Sequence, residues 1–255
     1  MKLAKRVAIV TGGATGIGRA TALALARSKI AGVIINYRSA KDQAEELAEE
    51  ISQLGAEPLC IYADITNDKE VRAMIEQAGN HFGRLDVLIN NAGITHWVPF
   101  SDLESLTDEI WDQILDVNVK GAFRCVRAAA PFISKHEGMI INVSSVSGIL
   151  AASTSSSLAY GTAKAALIYM TRGLAVALAP KIRVNAVAPA FTDTQWMRTH
   201  FGADYEKVIA KASEAYPLER VAKPVEVAEA IVGLITGGDF VTGQTLIIDG
   251  GLGLS

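Results

Sequence analysis

A tyrosine and a lysine lie four residues apart in a run of small and apolar residues, AYGTAKAAL, at positions 159–167. On a helix, residues i and i+4 share one face, so Tyr160 and Lys164 would meet with their polar ends on the same side. A surface lysine lying along a core tyrosine would give the same spacing. An ammonium group also stabilises a nearby phenolate, so the pair predicts a proton-transferring tyrosine with a pKa below its ordinary value of about 10.

The composition excludes several classes of protein. Half of the 255 residues are apolar, and 24 Lys and Arg face 27 Asp and Glu, for a formal net charge of −3. Without a basic surplus or run, a nucleic-acid partner is not expected. No apolar stretch reaches the roughly 18 residues of a membrane span, and the N-terminal apolar run is too short for a signal peptide. Cys60 and Cys125 lack metal-site spacing. We expect a cytoplasmic protein without a metal.

Short Val- and Ile-rich runs alternate with segments of helical character. The runs are RVAIVTG, GVIINY, PLCIYAD, LDVLINNAG, GMIINVSS, RVNAVAP and TLIIDG, and the helical segments cover about 17–29, 40–54, 67–82, 107–134, 158–179 and 224–236. Runs that are apolar throughout are typical of parallel strands covered on both faces. The alternation predicts an α/β fold, a single Rossmann-type domain over residues 1–255 with a doubly wound, seven-stranded parallel sheet and helices on both faces.

Ligands of such sheets bind beyond the carboxyl ends of the strands. The first run is followed by TGGATGIG at 11–18, where Gly12, Gly16 and Gly18 permit a tight turn and a close approach of backbone N–H groups to a pyrophosphate. Glycines also serve ordinary turns. A nucleoside-triphosphate loop is excluded because its Gly-Lys-Ser/Thr ending is missing. The position between a strand and a helix favours a dinucleotide site.

Polar residues also end the later strands. Asp64 ends the third run, Asn90 and Asn91 end the fourth, and Ser144-Ser145 follow the fifth. Asp64 could equally cap the helix at 67, and the others could be turn residues. Their joint occurrence on one edge of one sheet indicates a binding site.

The series of motifs resembles that of the short-chain dehydrogenase/reductase family. TGGATGIG, NNAG, DVNVKGAF, SSVSG, YGTAK and NAVAPAFTDT follow in the family's order from residue 11 to 194, and TGQTLIIDGG resembles its last strand. The length fits the compact branch of the family. The resemblance implies an oxidoreductase that transfers a hydride between a nicotinamide and a ketone or secondary alcohol.

The resemblance also implies catalytic roles. Tyr160 would exchange the proton, and Lys164 would support it and bind the nicotinamide ribose. Ser145 would hydrogen-bond the substrate oxygen. Asn118 would hold a water in a proton relay, although a buried amide can also serve helix packing alone.

Two positions depart from the family pattern. Ser145 precedes Tyr160 by fifteen residues where the family commonly has thirteen, which would select Ser147. We favour Ser145 and an insertion in the loop 149–158. Ala190 stands where the family usually has glycine after proline, and its methyl group restricts the backbone.

The cofactor contacts follow from the same motifs. They are Gly12, Thr15, Gly16, Ile17, Gly18, Arg38, Asp64, Ile65, Asn91, Ala92, Gly93, Tyr160, Lys164, Pro189, Thr192 and Thr194. The second strand ends in Asn36-Tyr37-Arg38-Ser39, without the carboxylate that often selects NAD. Arg38 can pair with a 2′-phosphate, so we expect NADP(H) to be preferred, with NAD(H) as the alternative if Arg38 is only a solvated loop residue.

The substrate is only weakly encoded. The segment 94–100 and a lid at about 191–217 should flank the pocket by resemblance. The larger apolar residues of these two segments are Trp97, Phe191, Trp196 and Met197. They favour an apolar or flat small molecule as the substrate, although aromatic rings also simply pack in a core. The chain is similar to both 3-oxoacyl-carrier-protein reductases and sugar or polyol dehydrogenases, and we favour the former. A redox sensor that only binds the cofactor would not need the Asn, Ser, Tyr and Lys set.

The sequence further predicts self-association. The helix at 158–179 carries only Lys164 and Arg172 as charges, and a helix that is apolar all round should also be buried on its outer side. We therefore expect a homotetramer, or at least a homodimer, unless neighbouring loops cover these faces. The residues expected at the contact are Ala166, Leu167, Met170, Leu174 and Leu178, with Ala122, Phe123, Val126 and Ala130.

Overall fold

The computed structural model describes residues 1–151 and 156–254. Within them, seven strands form one parallel sheet in the order β3-β2-β1-β4-β5-β6-β7. The strands are β1 Val7–Val10, β2 Gly32–Tyr37, β3 Glu57–Tyr62, β4 Val87–Asn90, β5 Gly138–Val143, β6 Ile182–Pro189 and β7 Thr245–Ile248. The order reverses between β1 and β4, and ligands of doubly wound sheets bind beyond the strand ends at this switch point.

Helices cover both faces of the sheet, as the sequence predicts. The α-helices of the described residues are α1 Gly16–Arg27, α2 Lys41–Gln53, α3 Asp68–Phe82, α4 Asp108–Leu115, α5 Ala122–Ile133, α6 Leu158–Leu178, α7 Gln195–Phe201, α8 Tyr205–Glu214 and α9 Pro224–Thr236. One buried cluster packs α1, α2 and α9 on one face of the sheet, and another packs α3, α5 and α6 on the other. The predicted Rossmann-type architecture is confirmed.

The segment predicted as one helix at 107–134 is interrupted. A π-helical stretch, Asp116–Gly121, joins α4 to α5 and contains Asn118. Such stretches are rare and frequently occur at functional sites. Hydrophobic periodicity does not reveal them, because a single widened turn leaves the apolar face almost unchanged.

Three residues that we expected at an outer contact lie in the core instead. Leu167 of α6 and Ala122 and Val126 of α5 are buried. They occupy the helix faces that pack inward, so only the remaining members of the predicted set are available to a partner.

The predicted lid contains the two helices α7 and α8. Each is largely exposed, and the buried residues are Met197 in α7 and Tyr205 in α8. Elsewhere, no helix among the described residues combines the length and apolarity that a membrane span requires.

Candidate active site

The loop between β1 and α1 has the backbone shape of a phosphate-binding turn. Gly12 and Gly16 adopt left-handed φ values of +58° and +53°, which glycine reaches without steric cost. A Cβ on Gly18 would collide with the carbonyl oxygen of Gly12. The Thr15 side chain makes no capping hydrogen bond, and no acidic residue occupies the first turn of α1. The first N–H groups of α1 therefore remain available to an anion.

Side chains from two neighbouring strand ends hold this loop. The Gly12 N–H donates to Asn36 Oδ1 at 3.2 Å, and the Gly13 N–H donates to the Asn36 carbonyl at 2.9 Å. Asn91 Nδ2 donates to the carbonyl oxygens of Thr11 and Gly12, both at 3.0 Å. The Asn91 side chain thus shapes the loop. Our sequence reasoning missed the role of Asn36, a buried polar residue near the end of an apolar strand.

The end of β2 brings Arg38 close to a carboxylate. Arg38 Nη1 lies 3.5 Å from Asp64 Oδ2. Asp64 Oδ1 also accepts from the Thr66 N–H at 2.8 Å and the Thr66 hydroxyl at 2.7 Å. Burial alone would raise the pKa of Asp64, but these hydrogen bonds and Arg38 outweigh it and lower the pKa. The helix cap itself is Asn67, which accepts from the Lys69 and Glu70 N–H groups, so Asp64 is free of that role.

Tyr160 and Lys164 lie on the first turns of α6, beside the end of β5. Burial raises the pKa of Tyr160 to about 12, and hydrogen bonding from the nearby Ser145 hydroxyl opposes the shift in part. The expected lowering of the tyrosine pKa is therefore wrong in this structure, where burial dominates. The reason is geometric: Lys164 Nζ lies 5.4 Å from the centroid of the Tyr160 ring and donates to the Val143 carbonyl at 3.0 Å.

Lys164 is itself buried, and desolvation lowers its pKa to about 8. Around it, the Ser144 hydroxyl donates to the Lys164 carbonyl at 2.8 Å, which fixes the helix against the end of β5. The lysine is therefore a cation held in a dry environment next to the phenol. Nearby positive charge in such a setting acts more strongly than it would in water.

Asn118 presents an unpaired acceptor to the same site. Its Nδ2 donates to the carbonyls of Ile94 and Ile114, both at 2.9 Å, while its buried Oδ1 has no partner. A Cβ on Gly93 would lie 2.7 Å from Asn118 Oδ1 and 3.4 Å from Lys164 Nζ. Any side chain at position 93 would therefore crowd the amide oxygen of Asn118, which explains why glycine stands there.

The Ser145 side chain lies between the end of β6 and the short 3-10 turn Val146–Gly148 that follows Ser145. Its Oγ donates to the Pro189 carbonyl at 3.5 Å and accepts from the Ser147 N–H at 3.1 Å. Hydrogen bonding with the Ser145 hydroxyl lowers the pKa of the Tyr160 phenol in part, which supports the choice of Ser145. The insertion expected in the loop 149–158 falls partly on residues 152–155, which lie outside the described residues.

The segment after β6 approaches the glycine loop. The Thr194 methyl group lies 3.5 Å from the point where a Cβ would stand on Gly16. The Thr194 hydroxyl accepts from the Met197 N–H at 3.4 Å as the cap of α7, and the Thr192 hydroxyl donates to the Ala190 carbonyl at 3.0 Å. Both hydroxyls are thus engaged with the backbone. Ala190 has no left-handed backbone, so its methyl group introduces no strain.

The remaining predicted residues adjoin the same edge of the sheet. A Cβ on Gly12 would lie 3.1 Å from Ala92 Cα, and one on Gly121 would lie 2.8 Å from Ile65 Cδ1. Ile17 packs against the core, so only its backbone faces the site. The uncapped helix end, the close-packed glycines and the orphaned Asn118 oxygen fit a bound nicotinamide dinucleotide.

Comparison with known proteins agrees with this geometry. A family model described as Enoyl-(Acyl carrier protein) reductase matches residues 12–253. A 3-oxoacyl-acyl-carrier-protein reductase, FabG, of Staphylococcus aureus is 36% identical over 255 residues, 99% of both chains. A solved structure from Burkholderia xenovorans, named as a short-chain dehydrogenase/reductase, superposes with a TM-score of 0.91 at 33% identity over 98% of both chains.

The chain belongs to the short-chain dehydrogenase/reductase family. Another relative, named as ketoacyl reductase 2 of the granaticin polyketide synthase of Streptomyces violaceoruber, is 37% identical over 247 residues, 96% of this chain and 95% of the relative. As a member of the short-chain dehydrogenase/reductase family, the protein is an NAD(P)-dependent oxidoreductase acting on CH–OH and C=O groups. The predicted family and class of reaction are confirmed.

Proposed function

We propose that the protein reduces the ketone of a 3-oxoacyl thioester to a hydroxyl, as a carbonyl reductase of the 3-oxoacyl-carrier-protein reductase type that prefers NADPH. The observation that carries the proposal is geometric: the Tyr160 phenol lies next to the Ser145 hydroxyl, and the Nζ of the buried Lys164 lies 5.4 Å from the centroid of the Tyr160 ring. The names of the FabG and ketoacyl reductase relatives support the substrate class.

The two hydroxyl groups have the chemistry that carbonyl reduction requires. A bound nicotinamide would supply the hydride that the carbonyl carbon needs. The oxygen then needs a proton, and a phenol with a pKa of about 12 keeps its proton at neutral pH. Tyr160 is therefore suited to act as the general acid, and Ser145 positions the carbonyl oxygen beside it.

Charge develops on the phenol oxygen once its proton has left. With a pKa of about 8, Lys164 is largely an ammonium at neutral pH, and its charge stabilises the phenolate at that moment. The unpaired Oδ1 of Asn118, across Gly93 from Lys164, would hold the water that returns a proton. Asn118 would thus help to return a proton to Tyr160 through the water, whereas Lys164 stabilises the phenolate through its charge.

The preference for NADPH rests on Arg38. Its guanidinium is half exposed at the end of β2, where the adenine ribose of a dinucleotide would lie, and it can pair with a 2′-phosphate through two parallel hydrogen bonds. Asp64 orients the guanidinium from one side. The phosphate would then compete with Asp64 for Arg38, which makes the preference a matter of degree.

Assembly into a homotetramer, or at least a homodimer, belongs to the same proposal. A groove of about 470 Å³ runs between α5 and α6. Its lining is mostly apolar and includes Phe123, Ala130, Leu174, Ala177 and Leu178. On α6, Tyr169 and Val176 are also exposed. A second copy related by a two-fold axis would cover these faces with their own equivalents.

One experiment tests the proposed reaction. The purified protein is incubated with NADPH or NADH and acetoacetyl-CoA, crotonyl-CoA or a polyol, and the nicotinamide absorbance is followed. We expect reduction of acetoacetyl-CoA, fastest with NADPH. Turnover of crotonyl-CoA alone would instead indicate reduction of a carbon–carbon double bond, and turnover of the polyol alone a sugar dehydrogenase. Binding of NADPH without turnover of any ketone would indicate a sensor.

A further inference from the structure

An aromatic cluster joins the lid to the loop after β4. The imidazole of His200 stacks on the Trp97 ring with centroids 4.0 Å apart and an interplanar angle of 11°. The Phe201 ring meets Trp97 edge-on at 5.3 Å, and Trp196 lies at 6.1 Å. These three rings all belong to α7, so the aromatic side chains of this helix meet on Trp97, and Phe201 also stacks on Phe191 at 6.2 Å.

Trp97 projects from a fixed base. The N–H of its neighbour Val98 donates to the Ser156 carbonyl at 2.8 Å, and the hydroxyls of Thr95 and Ser156 are 2.6 Å apart. Ser156 directly precedes Ser157, the residue that caps α6 by accepting from the Tyr160 N–H. The loop that carries Trp97 is therefore tied to the start of the active-site helix.

The lid, in contrast, is anchored mainly at its base. The Asp193 N–H donates to the Ala222 carbonyl at 2.9 Å, and the Ala222 N–H donates to the Phe191 carbonyl at 3.1 Å, so the start of the lid is tied to the chain just after it. The Phe191 N–H also donates to the Tyr216 hydroxyl at 3.1 Å, which joins the two ends of the lid. Between these ends, α7 and α8 are largely exposed. Segments with so little buried surface open locally at low free-energy cost, so a contact at the far end of α7 has a large effect on the closed state.

The two lid helices are also joined to each other. Arg198 donates to both carboxylate oxygens of Asp193 at 2.9 and 2.8 Å, and the Tyr205 hydroxyl donates to Asp193 Oδ1 at 2.6 Å. The Arg198 guanidinium lies 4.4 Å from the centroid of the Tyr205 ring. This cluster makes α7 and α8 one unit, so that a contact made by α7 holds both.

The contact spans the active site. In the sheet, β5 lies between β4 and β6, and the catalytic Ser145 follows β5. The loop with Trp97 follows β4, whereas the lid follows β6. Their aromatic contact therefore bridges the carboxyl end of β5 from one side to the other.

We propose that Trp97 and His200 form a latch that holds the lid closed over the substrate site. Trp97 is a positioning residue of the body, and His200 is its partner on α7. The consequence for kinetics rests on the proposed function: the latch favours the closed complex with the 3-oxoacyl thioester, so breaking it weakens substrate capture while leaving Ser145, Tyr160 and Lys164 in place.

Limited proteolysis of the protein without cofactor or substrate tests the latch itself. Trypsin sites lie within the lid at Arg198, Lys207 and Lys211. We expect His200→Ala to accelerate cleavage at these sites by about two- to twelve-fold, which corresponds to the contribution of one aromatic pair. His200→Phe keeps a stacking ring and should restore slow cleavage. Equal cleavage rates for wild type and His200→Ala, or no rescue by His200→Phe, would overturn the latch.

A matched control is available on α3. His81 also meets an aromatic ring, that of Phe82 at 4.6 Å, in the last turn of α3 and outside the lid. His81→Ala removes a histidine–aromatic contact outside the lid, so we expect wild-type cleavage rates at the three lid sites. Accelerated lid cleavage in His81→Ala would assign the effect to general destabilisation and reject the latch.

Steady-state kinetics with NADPH and acetoacetyl-CoA then test its role. We expect His200→Ala to raise the KM of the thioester by about two- to twelve-fold, with kcat unchanged or higher, and His200→Phe to resemble wild type. An unchanged KM would contradict the role in substrate capture. If no variant, including wild type, reduces acetoacetyl-CoA, the proposed function fails, whereas the proteolysis result still decides whether the latch exists.

Discussion

Lys164 lies over the ring of Tyr160, with Nζ 5.4 Å from the ring centroid, but gives its hydrogen bond to the Val143 carbonyl. The i, i+4 spacing thus brings the two side chains together without pairing the ammonium with the phenol oxygen. A phenol is neutral at pH 7 even at its ordinary pKa of about 10, and burial raises the pKa of Tyr160 further. The ammonium acts when negative charge forms on that oxygen.

The lysine gives the reaction a pH dependence. Burial lowers the pKa of Lys164 to about 8, so the ammonium is present below that pH and lost above it. We expect kcat/KM for ketone reduction to be level from pH 6 to 7 and to fall as the pH rises through about 8, because this ratio reports groups of the free enzyme.

Lys164→Arg provides the control for that profile. Arginine stays protonated across the measured range, so the remaining activity of the variant should not fall near pH 8. A wild-type profile that stays level to pH 10, or the same fall in Lys164→Arg, would contradict the assignment.

Arg38 determines the cofactor preference in this account. We expect Arg38→Ala to raise the dissociation constant of NADPH by about 10- to 100-fold, as for the loss of a charge-assisted hydrogen bond, and to change that of NADH by less than about two-fold because NADH has no 2′-phosphate. Isothermal titration calorimetry measures the dissociation constants of both cofactors. Arg72→Ala serves as control, since Arg72 is an exposed arginine paired with Asp68 on α3. Equal weakening of both cofactors by Arg38→Ala would reject Arg38 as the determinant.

A buried carboxylate, that of Asp86, lies just before β4, at the end of the sheet opposite the active site, and contributes to stability. Asp86 accepts hydrogen bonds from Arg6, from Arg84 and from the Val7 N–H. Burial alone would raise the pKa of Asp86, but these partners outweigh it and lower the pKa. A lowered folded-state pKa stabilises the fold above the unfolded pKa of about 3.9, and this contribution is lost as the pH falls through the folded value.

We therefore expect Asp86→Asn to lower the free energy of unfolding by about 2–3 kcal/mol at pH 7, below the roughly 3–5 of a fully buried pair because both arginines retain access to water. The difference from wild type should shrink at low pH. Urea unfolding at fixed protein concentration measures the difference, with Asp42→Asn, which changes an exposed carboxylate on α2, as control. A difference between wild type and Asp86→Asn that does not depend on pH would contradict the ionic origin.

The groove between α5 and α6 predicts the assembly state. Ala177 is exposed on its wall, so Ala177→Glu would bury a charge in any contact made there. We expect light scattering to give a mass of two or four times 27.0 kDa for wild type, and a smaller assembly for the variant. Ala31→Glu, on an exposed turn, is the control. A wild-type mass near that of one chain would contradict the proposed assembly.

The parts of the fold that were predicted have a simple physical basis. Strands that are buried on both faces must be apolar throughout, and the helices that cover them must end near polar or glycine residues. The helix ends agree with the prediction to about two residues for this reason. The glycine loop was recognisable because only glycine adopts the left-handed turns at Gly12 and Gly16 without strain.

The parts that were not predicted depend on three-dimensional contacts. Asn36 is one polar residue at a strand end, and its sequence position does not reveal that it bonds the glycine loop. The π-helical turn at Asn118 leaves the hydrophobic period intact. The pKa of Tyr160 depends on whether Lys164 points to the phenol or to the Val143 carbonyl, which spacing alone leaves open. Helix α7 has only seven residues, too few for a helical period to stand out from the sequence around it.

The most direct test of the central claim, that Tyr160 donates the proton to the ketone oxygen, is the turnover of acetoacetyl-CoA by Tyr160→Phe. This substitution removes one hydroxyl and keeps the ring over which Lys164 lies. We expect the folded variant to lose at least about 100-fold in kcat at pH 7, the range typical of general acid catalysis, while the dissociation constant of NADPH stays within about two-fold of wild type. A variant that retains more than about a tenth of the wild-type kcat would contradict the account.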